Sequence, residues 1–209
     1  MKIKIKELEE KLGYKIKTNV QSIGLDIAER TGITIITTDN NYANLDWTFI
    51  EFDKSNIDNV YKEMYKEFSE IVTKEKGMDN IVVIEDTFLK RFPFIQPDVF
   101  KKLTRFGTLA LACCFDNNID YEFILAKSSR AKLKIKMIKG KPKESVANYL
   151  NNTFDIEVDD DDIADSICLS ILGICEGMDY RSQVKIDKAK LPKKKKIKKS
   201  VKKVKVKKK

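Results

Sequence analysis

The chain of 209 residues contains no histidine. That excludes Ser-His-Asp and Cys-His nucleophilic catalysis, histidine-ligated zinc and proton shuttling through imidazole. The four cysteines, Cys113, Cys114, Cys168 and Cys175, show no C-x-x-C spacing and lie in apolar, helix-like runs. They read as buried thiols of a reducing compartment. No apolar stretch nears the ~20 residues that cross a bilayer. Lys2, Lys4 and Lys6 are mixed with Glu7, Glu9 and Glu10, unlike a secretory signal or an acid-poor transit peptide. These absences predict a soluble, cytoplasmic protein with no membrane partner. No internal repeat is evident.

Acidic residues are nearly missing from one region. Residues 185–209 hold 15 lysines and one carboxylate, Asp187, a net of +14. The other 184 residues carry 26 basic and 31 acidic groups, a net of −5, so the overall +9 belongs to the tail. Such a run, with Lys193, Lys194, Lys195 and Lys196 consecutive, is expected to be disordered alone and to attract polyanions. Its expected partner is DNA backbone, bound without sequence preference and weakened by salt. The chain is 42% hydrophobic, enough for one domain with a core. The spans predicted are a short charged extension over 1–20, a folded domain over 21–184 and the lysine tail over 185–209.

Within the body, residues 22–27, 33–37 and 47–52 read as strands separated by turn-like Glu29-Arg30-Thr31-Gly32 and Asp39-Asn40-Asn41, an antiparallel meander. Apolar Ile57, Val60, Met64, Phe68, Ile71 and Val72 predict a helix over 53–76, stopped by Gly77. Residues 80–84 form a continuous apolar run, the mark of a strand buried on both faces. A second helix is predicted over 98–115, a fifth strand over 121–125, and helices over 145–154 and 160–175. The basic segment 128–142 has no clear assignment. Three strands, helix, strand, helix, strand and helices suit an α/β fold with a mixed five-stranded sheet and helices on both faces, the ribonuclease H-like architecture.

Four carboxylates stand where an acid makes little structural sense alone. Asp26 closes the apolar run Ser22-Ile23-Gly24-Leu25, and Glu85 closes Ile81-Val82-Val83-Ile84. Asp162 and Asp165 sit three apart at the start of the last helix, about 60° apart around its axis and so on one face. Three have an innocent alternative: Asp26 a turn, Glu85 the first exposed residue after a strand, Asp162 part of a helix N-cap. Asp165, inside the helix beside Ile163, Ala164 and Ile167, is harder to dismiss. Jointly they are costly, because like charges brought together repel unless a cation neutralises them. Oxygen donors select hard divalent ions, Mg²⁺ or Mn²⁺. Two such ions per site make the apparatus that hydrolyses phosphodiesters.

Three segments carry a resemblance. Gly24-Leu25-Asp26-Ile27-Ala28 followed by Thr31-Gly32, Ile84-Glu85-Asp86-Thr87-Phe88, and Asp162-Ile163-Ala164-Asp165-Ser166 resemble the motifs of the RuvC-type Holliday junction resolvases, most nearly their bacteriophage-encoded branch. The resemblance covers about residues 22–176. It implies Asp26, Glu85, Asp162 and Asp165 as the catalytic, metal-holding set, and Phe88 as an aromatic that enters the junction centre. For Phe88 the alternative is core packing. It also implies a phosphate-contacting lysine in Gly140-Lys141-Pro142-Lys143, with Lys143 preferred and Lys141 the second choice. The activity implied is paired, metal-dependent cleavage of four-way DNA junctions by a homodimer with no organic cofactor. The rivals are a less selective nuclease of flaps, forks or RNA–DNA hybrids, and a non-catalytic junction-binding protein.

Overall fold

The protein's structure, a computed structural model, describes residues 1–52, 57–86 and 97–178. Its elements run β1 (Lys2–Lys4), α1 (Ile5–Leu12), β2 (Val20–Asp26), β3 (Arg30–Thr38), β4 (Tyr42–Glu51), α2 (Ile57–Ile71), β5 (Asp79–Glu85), α3 (Pro97–Asp116), β6 (Asp120–Ile124), α4 (Ala126–Lys132), α5 (Pro142–Phe154) and α6 (Asp161–Ile174). The six strands form one mixed sheet in the order β1-β4-β3-β2-β5-β6. The β2-β3-β4 meander is antiparallel, and β5 and β6 join it in parallel beyond β2.

The central strand is β2, and its first six residues are all buried. Side chains alternate between two cores. On one face Ile23, Leu25 and Ile33 pack with Met64 and Phe68 of α2 and Phe106 and Ala110 of α3. On the other, Val20, Ile36 and Val83 meet Leu8 of α1, Val146 and Leu150 of α5 and the apolar side of α6. Helix α6 is buried along nearly its whole length, because it lies across the middle of the sheet rather than at its rim.

Two glycines let α6 come down to backbone contact. A Cβ on Gly24 would meet the Ser166 carbonyl oxygen and lie 2.6 Å from the Ser170 nitrogen; one on Gly32 would meet the Asp162 carbonyl. The contact is polar as well as close. The Ser22 and Ser170 hydroxyls each donate to the other residue's carbonyl at 2.8 Å, and the Thr34 and Ser166 hydroxyls lie 2.8 Å apart. Buried hydroxyls are cheap only when paired in this way.

Several elements differ from the sequence-based expectation. The sheet has six strands, not five. Residues 1–20 join it: Lys2–Lys4 pairs with β4, and Ile5, Leu8 and Leu12 of α1 are in the core. A three-residue strand carrying one apolar side chain has too few positions to reveal its period. Helix α2 stops well short of the predicted residue 76, since beyond Val72 the segment Thr73-Lys74-Glu75-Lys76 has nothing to bury. The unassigned basic stretch contains α4. Phe88, Lys193, Lys194, Lys195 and Lys196, with the whole of 185–209, lie outside the described residues.

Gly24→Ala is expected to destabilise the fold by about 3 kcal/mol, the upper range for overpacking a site that cannot yield. Denaturant unfolding measures it, and a loss well under 1 kcal/mol would mean that α6 is not held at backbone distance.

Candidate metal centre

The parallel pairing of β2 with β5 sets Leu25 opposite Ile84, so the next residues, Asp26 and Glu85, leave the sheet side by side. Both are on the face covered by α6. The Gly24 and Gly32 contacts bring the first turns of that helix against the same strand ends, and Asp165 points into the gap. Oxygens of Asp26, Glu85 and Asp165 all lie within 4.8 Å of one another. Asp165 is only 8% exposed, although it is charged. Asp162 belongs to the same helix face but outside this tight trio, near enough to act on the charges of Asp26 and Glu85.

Electrostatics explains what the cluster requires. Burial, then the neighbouring Glu85 charge, raises the Asp26 pKa far above the usual carboxylate range, and the two side chains are hydrogen-bonded. Glu85 is also raised, by burial first. Asp162 is raised by burial and then by Asp160, with Lys143 and Arg30 opposing. A half-buried set of oxygen donors whose neighbours oppose ionisation is relieved by a hard divalent cation, and these residues fit such an ion. A cavity of about 240 Å³ opens beside Glu85 between α3 and β6, lined in part by Ile27, Asp86, Leu103, Thr104 and Phe123.

One cation is already present. Arg130 of α4 donates from Nε to Asp165 Oδ1 at 3.2 Å and from its terminal nitrogen to Oδ2 at 2.5 Å. Burial opposes the Arg130 charge, but the Asp165 contacts outweigh it and raise its pKa. Sequence reasoning passed over Arg130 because it sits in a lysine-rich stretch. The available signal was that it is the single arginine among the basic residues of 126–142, and a planar fork suits a buried carboxylate better than an ammonium does.

The lysines picked from sequence sit farther out. Lys143 pairs with Asp161 at 2.6 Å at the exposed start of α6, and Lys141 pairs with Glu144 at 2.7 Å. Lys143 still faces the Asp162 and Asp165 carboxylates electrostatically. The four cysteines are buried free thiols. Among the described residues no helix is long and apolar enough to cross a membrane.

No protein-family model matches the sequence, and no curated protein matches it in sequence. Solved structures do match in shape. Together with the mixed sheet and its helices, they define an α/β fold of the ribonuclease H-like class. Within that class the fold is RuvC-type. RuvC of T. thermophilus in complex with a Holliday junction substrate aligns with a TM-score of 0.57 at 12% identity, over 73% of this chain and 90% of that one. A second structure, Thermus thermophilus RuvC, aligns at 0.55 and 13% identity, over 74% and 98%. At such identities the likeness establishes the fold.

Two measurements test the electrostatics of the cluster. Raised carboxyl pKa values favour the folded state fully below the unfolded value of about 4 and cease to do so as pH rises through the folded values. Without divalent ions, Asp26→Asn is therefore expected to raise Tm at pH 8 by about 3 °C or more. The gap should narrow towards pH 5, and equal Tm values at pH 8 would contradict a strained cluster. Arg130→Gln strands the buried Asp165 charge, at a cost on the order of 3 kcal/mol in EDTA. Saturating Mg²⁺ should then stabilise this variant more than the wild type; an equal or smaller gain would mean that the ion does not take over the guanidinium's neutralising role.

Proposed function

We propose that the chain is a divalent-metal-dependent endonuclease that resolves four-way DNA junctions by paired strand cleavage, acting as a homodimer. The observation that carries this reading is the convergence of Asp26, Glu85 and Asp165, from two parallel strand ends and the helix that crosses them. That convergence occurs on a RuvC-type fold, and one matched RuvC structure holds a Holliday junction substrate.

In this reading Asp26, Glu85 and Asp165 hold the ions, with Asp162 completing the set from the same face of α6. Two Mg²⁺ or Mn²⁺ ions bound there would supply an activated water nucleophile and neutralise charge on the leaving oxygen. The remaining work falls to the protein. The carboxylates would hold the ions in place, so no histidine base is needed. Arg130, already directed into the site, presents a guanidinium to the scissile phosphate. Lys143 at the rim, and the lysines of the tail such as Lys193–Lys196, attract the backbone without reading sequence. Phe88, three residues past Glu85, is the proposed aromatic that disturbs base stacking at the junction centre. Two symmetric strands require two sites related by a two-fold axis, hence the dimer. Four free thiols suit a cytoplasmic setting.

The test is Mg²⁺-dependent cleavage of an immobile four-way junction beside a flap, a Y-fork and an RNA–DNA hybrid. Junction cleavage in symmetric pairs is expected to dominate; equal cutting of all four substrates would replace the resolvase by a less selective nuclease. Asp26→Asn, Glu85→Gln, Asp162→Asn and Asp165→Asn should each reduce cleavage on the order of 100-fold or more with junction binding retained. Near wild-type rates in two or more of them would overturn the metal-site assignment.

A further inference from the structure

The start of α6 is held by more than its own helical hydrogen bonds. Asp160 caps the helix: its Oδ1 accepts from the backbone nitrogens of Asp162 at 3.0 Å and Ile163 at 3.1 Å. Its second oxygen, Oδ2, is taken by Arg30, the first residue of β3. Arg30 is itself held from the other side, with its guanidinium carbon 4.0 Å from the centre of the Phe49 ring. Phe49 is paired in register with Gly32, the glycine whose bare Cα accepts the Asp162 carbonyl. Phe49 is 44% exposed as a residue, so core burial does not account for it. The Arg30 Nε is buried with no hydrogen-bond partner. A guanidinium that gives up one donor to hold this place is serving a geometric constraint.

These contacts form one chain: Phe49 backs Arg30, Arg30 holds Asp160, and Asp160 orients the backbone of Asp162. We propose that Arg30 is a positioning residue that, through the Asp160 cap, sets the Asp162 carboxylate at the edge of the Asp26–Glu85–Asp165 trio. This rests on the metal-centre reading above. It also explains why Asp162, the least enclosed of the four, has a defined place. The trio is fixed by strand register and helix burial, whereas Asp162 sits in the first turn, where helices fray. Partners that orient metal-holding side chains from behind typically change metal affinity 10- to 100-fold when removed. A flat guanidinium satisfies both contacts at once, a face for the ring and an edge for the carboxylate. An ammonium satisfies only the second.

The experiment measures Mn²⁺ binding to the full chain by electron paramagnetic resonance, together with thermal unfolding. Arg30→Gln is expected to weaken Mn²⁺ binding about tenfold while Tm falls by only a few degrees. Arg30→Lys should recover part of the loss, and Phe49→Ala should fall between them. Asp160→Asn keeps the cap but loses the ion pair, so it should match Arg30→Gln, and the double variant should be no worse than either single one. Wild-type Mn²⁺ affinity in Arg30→Gln, with affinity reduced in Asp162→Asn, overturns the positioning role alone. So does a double variant whose losses simply add, or an Arg30→Lys no better than Arg30→Gln. Unreduced Mn²⁺ binding in Asp26→Asn and Glu85→Gln overturns the metal centre itself, and the positioning role with it.

Discussion

The close seating of α6 on β2 and β3 is the constraint on which the site depends. Helices normally rest on sheets through side chains, but here the Cα atoms of Gly24 and Gly32 meet the helix backbone directly. Reciprocal bonds between Ser22 and Ser170, and the Thr34–Ser166 pair, lock the helix in both translation and rotation. A helix standing a methyl group farther off would carry Asp165 away from Asp26 and Glu85. Packing and the acidic cluster are therefore one problem: the residues that admit the helix are also those that assemble the charges.

That assembly is expensive. Half-buried carboxylates within 4.8 Å of one another are relieved by protons, by a basic side chain or by metal ions. The structure contains the first two remedies. Asp26 and Glu85 share a hydrogen bond that favours protonated Asp26 and ionised Glu85, and Arg130 pairs with Asp165. Around the rim, Arg30 and Lys143 pair with Asp160 and Asp161, so the start of α6 alternates acid and base instead of accumulating one sign.

Much of this was legible along the chain. The antiparallel meander followed its β-branched runs and turn residues, and β5 followed its unbroken apolar stretch. Asp26, Glu85, Asp162 and Asp165 stood out because an acid at the end of a buried strand, or at the start of an apolar helix, contradicts its surroundings; the tight trio takes in three of them, with Asp162 beside it. The misses share a physical cause. Lys2–Lys4 becomes a strand only because β4 offers an open edge, which its own three residues cannot reveal. Arg130 was hidden among lysines because nothing local distinguishes a buried guanidinium from a solvated one.

The sequence by itself determined the alternation of elements, the acidic residues that needed an explanation and the separation of a lysine-rich end from an acidic body. Each of these is a property of composition or of short-range periodicity. Only the tertiary structure decided which acids meet closely, which cation joins them and what holds the first turn of α6. Those are questions of register and approach between segments more than a hundred residues apart, such as Gly24 under Ser166 and Thr34 beside Ser166. Local pattern carries no information about distances of that kind; strand pairing and close packing set them.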